Sequence, residues 1–249
     1  MSEKQRAVVT GASSGIGAAT VRQLQALDWD VVAVARREDR LRELADATGA
    51  SYVVADVTSD DDVARLAGQI TSAGPLHALV NNAGVAVRAD RIADAAVADW
   101  ARMYDVNVLG TVRVTHALLP ALRASRGDVV LMGSTAGLVG YEGGGGYSAA
   151  KHGVHAFAGT LRLEEAENDL RVIEIAPGMV RTDEFALNRF EGDRTASDAV
   201  YAGVAAPLTA DDVATAVTWA LTLPHHMNVD LMVLRPVAQA AQHKVIRRS

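Results

Sequence analysis

The chain has 249 residues, 49% of them hydrophobic, which is length and apolar content enough to bury a large core, and one domain is expected. A formal net charge of -6 with pI near 5.6 disfavours non-specific attraction to nucleic acid or anionic membranes, and zero cysteines exclude disulfides, thiol nucleophiles and cysteine-ligated zinc. MSEKQRAVVTG does not read as a signal peptide and no uninterrupted apolar run has transmembrane length, so a cytoplasmic protein is expected.

The first β-branched run, Arg6–Thr10, is followed by GASSGIGAAT. Glycines at 11, 15 and 17 there permit a tight turn, close approach of backbone to a pyrophosphate, and a helix N-terminus facing that anion. A purely structural turn would use the same glycines, so the spacing alone is a weak signal. The second predicted strand, Asp30–Ala35, ends in Ala35, Arg36 and Arg37 before the helical pattern REDRLRELADA, whose Glu38 and Asp39 suit a helix start. The third and fourth strands are Ser51–Asp56 and Ala78–Asn81, the latter running into NNAG. A long helical stretch over Asp99–Arg123 is interrupted at Asn107, either a functional amide or a kink residue.

The fifth strand, Asp128–Gly133, delivers Ser134 at its carboxyl end, as a hydrogen-bonding hydroxyl or a helix cap. Tyr147 and Lys151 open the helix expected over Tyr147–Glu167, four residues apart and so on one face. An unperturbed phenol titrates near 10 and is a poor base at neutral pH, whereas a neighbouring lysine cation is expected to lower that value. A buried tyrosine beside a surface lysine on an amphipathic helix is the bland alternative. His152 and His155, on the same helix, suit packing or subunit contact, and Trp100, Trp219 and the methionines suit the core.

Strands over Arg171–Ala176 and Val229–Leu234 complete a predicted set of seven. Between them the segment 183–207 mixes Phe185, Phe190 and Tyr201 with Arg181, Arg189 and Arg194, the composition of a substrate lid. Its arginines either present a guanidinium to an anionic substrate or pair with Asp183, Glu184, Glu191 or Asp193. No metal site is expected, since His225 and His226 are adjacent without a carboxylate pattern, and HKVIRRS at the C-terminus reads as a solvated tail or subunit contact. Strands alternating with helical patterns predict an α/β fold, a Rossmann-type doubly wound seven-stranded parallel sheet with helices on both faces and its ligand crevice at the strands' carboxyl ends.

Thr10–Gly17, NNAG, Asn107, Ser134, Tyr147, Lys151 and PGMVRT at 177–182 together resemble the short-chain dehydrogenase/reductase family from the first strand to the last. Within it, ARREDRL, GSTAG, PGMVRTDEF and Arg235–Pro236 look most like the branch of 3-hydroxy acid, serine and clavulanic acid dehydrogenases. The resemblance implies hydride transfer between NADP(H) and a carbonyl/alcohol pair, with Tyr147 as general acid/base, Lys151 tuning it and binding the nicotinamide ribose, Ser134 positioning the substrate oxygen and Asn107 anchoring a water. It places Gly11, Ser13, Ser14, Gly15, Ile16, Gly17, Asp56, Val57, Asn82, Pro177, Gly178, Val180 and Thr182 around the cofactor. NADP is expected over NAD because Ala35 stands where an NAD-preferring member carries an acid, leaving Arg36 and Arg37 for the 2′-phosphate. A small 3-hydroxy acid met by Ser134, Tyr147 and Arg189 is the expected substrate. A reductase for a neutral or bulky, polyketide-like carbonyl and a non-catalytic NADP-binding regulator are the alternatives. The family also implies a homo-oligomer, expected as a tetramer, pairing the two long helices through small residues such as Ala149, Gly153, Ala156 and Gly159.

Overall fold

The architecture follows from seven apolar runs, the central five covered on both faces and the two edge strands only in part. In a computed structural model describing residues 4–182 and 184–248, β1 (Arg6–Thr10), β2 (Asp30–Ala35), β3 (Ser51–Val54) and β4 (Ala78–Asn81) alternate with α1 (Gly15–Ala26), α2 (Glu38–Thr48) and α3 (Asp60–Ser72). Then follow α4 (Val97–Tyr104), one π-helical turn (Asp105–Leu109), α5 (Gly110–Ser125), β5 (Asp128–Met132), α6 (Gly145–Glu165) and β6 (Arg171–Pro177). The remainder is β7 (Val180–Arg181), α7 (Phe185–Arg189), α8 (Arg194–Tyr201), β8 (Leu208–Thr209), α9 (Ala210–Leu221) and β9 (Leu231–Leu234). The main sheet is parallel with strand order β3-β2-β1-β4-β5-β6-β9, as expected for a doubly wound fold.

Alternation along each strand feeds two cores. Ala7, Val9, Val31, Ala33 and Ile173 point to the layer of α1, α2 and α9, where they meet Leu24, Leu41 and Val217. Val8, Val32, Leu79, Val129 and Val172 point the other way, against Leu66 and Ile70 of α3, Leu118 of α5 and Val154 of α6. Helix starts are chemically marked: Ser59 accepts the amide of Asp62 at α3, and Thr209 with Asp212 forms a capping box at α9.

Several expected boundaries move for local reasons. Asp56 leaves the third strand because its carboxylate accepts the amide and hydroxyl of Thr58, at 2.9 and 2.8 Å. The stretch expected as one helix over Asp99–Arg123 contains the π turn around Asn107, and the lid segment folds as α7 and α8, with β7 pairing β8 beneath it. Trp219 and Met227 lie exposed rather than in the core. The C-terminal tail is not free: Arg247 donates to the carbonyls of Val200 and Ala202 at the end of α8, and Arg248 N–H to Gly203 O. Among the described residues no helix is long and apolar enough to cross a membrane.

At the amino ends of β5 and β6 the buried guanidinium of Arg171 grips Asp128 through 2.7 and 2.5 Å contacts and donates further to Ala220, Leu221 and Leu223 carbonyls at the end of α9. Removing one partner strands the other charge in the interior. Asp128→Ala is therefore expected to lower stability by about 3–5 kcal/mol, read in urea as a lower midpoint with an unchanged slope.

Candidate active site

Chain reversal between β1 and β4 opens the crevice. Asn82, just past β4, donates through its side-chain amide to Thr10 O and Gly11 O at 3.0 and 3.2 Å, while Thr10 Oγ1 accepts the amides of Asn82 and Ala83 at 3.0 and 3.1 Å. Gly11 (φ +65°) adopts the left-handed region, and a Cβ there would lie 2.8 Å from the backbone of Ala83. A Cβ on Gly17 would lie 2.4 Å from Gly11 O, so glycine lets α1 approach the strand end closely.

A cleft of about 520 Å³ lies at the carboxyl ends of the strands. It is lined by every expected cofactor and catalytic residue except Gly17: Gly11, Ser13, Ser14, Gly15, Ile16, Arg36, Arg37, Asp56, Val57, Asn82, Asn107, Ser134, Tyr147, Lys151, Pro177, Gly178, Val180 and Thr182. Gly17 lies behind the loop, where it serves the loop's geometry. Asn82 likewise holds the β1–β4 junction as well as lining the cleft. Gln239, invisible to motif reading, buttresses the far wall by accepting the Met179 amide at 2.8 Å.

The catalytic candidates converge from three places: the π turn, the end of β5 and α6. Asn107 is 1% exposed; its Nδ2 donates to Met103 O at 2.7 Å and Val85 O at 2.8 Å, leaving Oδ1 buried without a partner among the described residues. Asn107 lies in the π turn and lines the cleft, so the helix irregularity and the inward-facing amide coincide. A Cβ on Gly84 would sit 2.6 Å from that Oδ1 and 3.6 Å from Lys151 Nζ, so glycine keeps the space between them open. Ser134 Oγ caps a single 3-10 turn by accepting Ala136 N at 3.1 Å, and the side chain lines the cleft.

Tyr147 and Lys151 share a face of α6, with Nζ 5.8 Å from the phenol ring centre. The ammonium donates to Met132 O at 2.7 Å. Although Tyr147 opens onto the cleft, burial pushes its phenol up, with Tyr141 adding to this and Ser134 and Arg189 opposing it. The expected lowering of Tyr147 by Lys151 is thus not the effect that dominates here. Desolvation in turn pushes Lys151 down to about 8, against the pull of Glu174. His155 is not merely a packing residue, since its Nδ1 lies 2.6 Å from that buried Glu174 carboxylate.

At the other end, Arg36 lies 3.6 Å from Asp56. Burial raises the Asp56 carboxyl, but Thr58 and Arg36 outweigh it and hold the group below its ordinary value. Arg37 donates to Ser13 and Ser14 hydroxyls and to both oxygens of Glu184, a lining residue that motif reading left as one of several surface partners for the lid arginines.

Arg189 requires a correction. It does not line the cleft as a substrate residue: its guanidinium donates to Arg88 O at 2.8 Å, Tyr141 Oη at 3.0 Å and Gly143 O at 3.3 Å and lies over the Tyr141 and Phe190 rings. Among the described residues it pairs with no lid acid, and Glu191 is taken by Arg88. Arg181 covers the Tyr201 ring, and Asp183 lies outside the described residues. Among the described lid residues, Phe185, edge-on to Tyr147 at 5.9 Å, and Asn188 line the cleft together with Glu184.

Residues 5–190 match the short chain dehydrogenase family, and the chain belongs to it. It is an oxidoreductase of that family. An uncharacterized oxidoreductase of Mycobacterium tuberculosis is 50% identical over 96% of this chain and 93% of its own length. The NADP-dependent 3-hydroxy acid dehydrogenase of Escherichia coli is 36% identical over 94% of this chain and 95% of its own. Among solved structures, the closed form of a serine dehydrogenase complexed with NADP+ superposes with a TM-score of 0.90 at 34% identity, covering 98% of this chain and all of that one.

Because Arg189 ties α7 to the loops around Arg88 and Tyr141 instead of facing the cleft, Arg189→Ala is expected to raise KM alike for a 3-hydroxy acid and for a neutral alcohol of similar size. Steady-state kinetics on the matched pair checks this; a loss confined to the acid would restore Arg189 as a carboxylate ligand.

Proposed function

We propose that the protein is an NADP(H)-dependent oxidoreductase acting on a secondary alcohol/carbonyl pair, with a small 3-hydroxy acid as the preferred substrate class. What carries this is the meeting of Asn107, Ser134, Tyr147 and Lys151 at one end of a cleft whose other end holds Arg36 and Arg37 and no acid at position 35. The cradle suits a dinucleotide: close-packed glycines at the first turn, an α1 N-terminus, and cations where a 2′-phosphate would lie. The NADP+ in the serine dehydrogenase and the NADP dependence in the Escherichia coli enzyme's name support the same coenzyme.

When bound, the nicotinamide supplies or accepts the hydride. Ser134 Oγ orients the substrate oxygen, and Tyr147 Oη, kept protonated by burial, gives its proton to that oxygen in reduction and takes one in oxidation. Lys151, cationic below its depressed value, favours the phenolate that forms transiently and holds ribose hydroxyls. Asn107 presents Oδ1 as the acceptor that anchors a proton-relay water. The lid contributes Phe185, an apolar wall against Tyr147.

Serine and 3-hydroxy acids both carry a carboxylate, which favours an anionic small substrate. A second reading, a reductase for neutral carbonyls, is favoured by the fixing of Arg189 on backbone carbonyls and by the apolar face of Phe185. A panel of acids and neutral alcohols with NADP+ and NADPH, followed through the nicotinamide absorbance, separates the two and excludes a non-catalytic regulator if any turns over. We also infer a homotetramer. Gly153 is used inside the chain against Val108, whereas Ala149, Ala156 and Gly159 leave a shallow outer face on α6 that a second copy can approach.

Tyr147→Phe is expected to fold and bind NADPH but to lose about 100- to 10,000-fold in kcat, because it lacks the proton donor and keeps the ring. Near wild-type kcat would reject the mechanism. For the free enzyme, kcat/KM for reduction is expected to fall as pH rises through about 8, where Lys151 loses its cation, and Lys151→Met is expected to lack that limb. Arg36→Ala is expected to raise KM for NADPH about 10-fold or more while changing that for NADH little; equal effects would reduce Arg36 to a helix-opening residue.

A further inference from the structure

Arg37 is already engaged. Its Nη1 and Nη2 reach the two oxygens of Glu184 at 3.1 and 2.7 Å, and its Nε and Nη2 also donate to Ser13 Oγ at 3.3 and 2.9 Å and to Ser14 Oγ at 3.1 Å. The two hydroxyls accept from the guanidinium and cradle it beside the first turn of α1, and all four residues line the cofactor cleft. The anion on the guanidinium belongs to the protein. Glu184 comes from the segment immediately before α7, far along the chain from the first two strands, so the contact spans the cleft.

We propose that Glu184 is a coenzyme-selecting residue, its carboxylate occupying the Arg37 fork held by Ser13 and Ser14 and competing there with the 2′-phosphate of NADP(H). This rests on the coenzyme reading above. A carboxylate and a phosphate monoester make the same demand on a guanidinium fork, namely two parallel N–H donors, and cannot satisfy it at one fork together. The phosphate carries about -1.5 to -2 charges to the carboxylate's one, so it displaces Glu184 but does so at the cost of the existing pair. NAD(H), lacking the group, leaves Glu184 in place. The competition persists at mildly acidic pH, because Arg37, with Ser14 assisting against a burial effect, holds the Glu184 carboxyl below the usual range.

Displacement also reaches the reacting end. Glu184 is followed directly by Phe185, whose ring stands against Tyr147 and whose amide donates to Thr182 Oγ1. Freeing Glu184 releases the first turn of α7 at the residue that walls the tyrosine. Coenzyme phosphate and lid position are coupled through one ion pair.

Adenosine 2′-monophosphate and adenosine 5′-monophosphate, titrated calorimetrically into the full chain, test this without turnover. Because the ion pair is half exposed, it biases the fork only modestly, and Glu184→Gln is expected to tighten 2′-AMP about 3- to 10-fold. The same change should leave 5′-AMP within about twofold, and should have no effect on 2′-AMP when Arg37 is already alanine. Glu184→Asp, a shorter acid, should fall between wild type and Gln. If wild type prefers 2′-AMP to 5′-AMP and Glu184→Gln leaves 2′-AMP unchanged or weaker, the proposal is overturned while the coenzyme reading stands. If neither protein prefers 2′-AMP, the coenzyme reading fails and takes the proposal with it.

Discussion

The lock between Thr10 and Asn82 is the constraint on which the site depends. A doubly wound sheet must part its loops where the strand order reverses, and here the chain leaves β1 toward one side and β4 toward the other. Unsecured, the two strand ends would expose polar backbone at the bottom of the cleft. The Asn82 amide and the Thr10 hydroxyl instead tie them through four hydrogen bonds, and the tie is close enough that Gly11 and Gly17 tolerate no side chain. A glycine turn serves the ligand only because this junction fixes where the turn points.

Around that floor the reactive groups are held by backbone irregularity and burial. The π turn costs helix regularity and contains Asn107, which lines the cleft and whose side-chain amide satisfies two carbonyls. Lys151 sits in the interior on Met132 O, which makes its charge expensive and hence responsive to surroundings. Tyr147 is kept protonated by the same desolvation. Two groups of opposite charge type are therefore moved toward neutrality by one environment, so a bound ligand that brings polar groups into the cleft acts on both.

The lid is attached by polar contacts at its ends and edges. Tyr201 Oη donates to Val180 O, Arg247 caps α8, Arg189 ties α7 to the loops around Arg88 and Tyr141, and Glu184 reaches Arg37. Few buried apolar contacts back these up, as α8 contributes no buried residue. Segments held in this manner open locally at low free energy, a property suited to admitting a ligand.

Strand positions, the parallel order and the side chains that meet in the cleft were legible in the sequence because their signals are local: β-branched runs, glycines directly after the first strand, and a Tyr–Lys spacing of one helical turn. Asn107 was visible as an interruption and Ser134 as a strand-end hydroxyl, each with two readings; the structure puts Asn107 in a π turn and Ser134 at a 3-10 cap, and both line the cleft. Partner choice among charges was decided only by tertiary structure. Arg37, Arg189 and Glu184 lie among many acids and bases at comparable spacing in the chain, and composition cannot rank pairs whose members approach only when the lid folds back on the first two strands. Hence Arg189 holds loops together rather than facing the cleft, Glu184 lies on Arg37, and Lys151 donates to the carbonyl of Met132. Covalent spacing determines which groups share an element; which of them meet is a property of the packed fold.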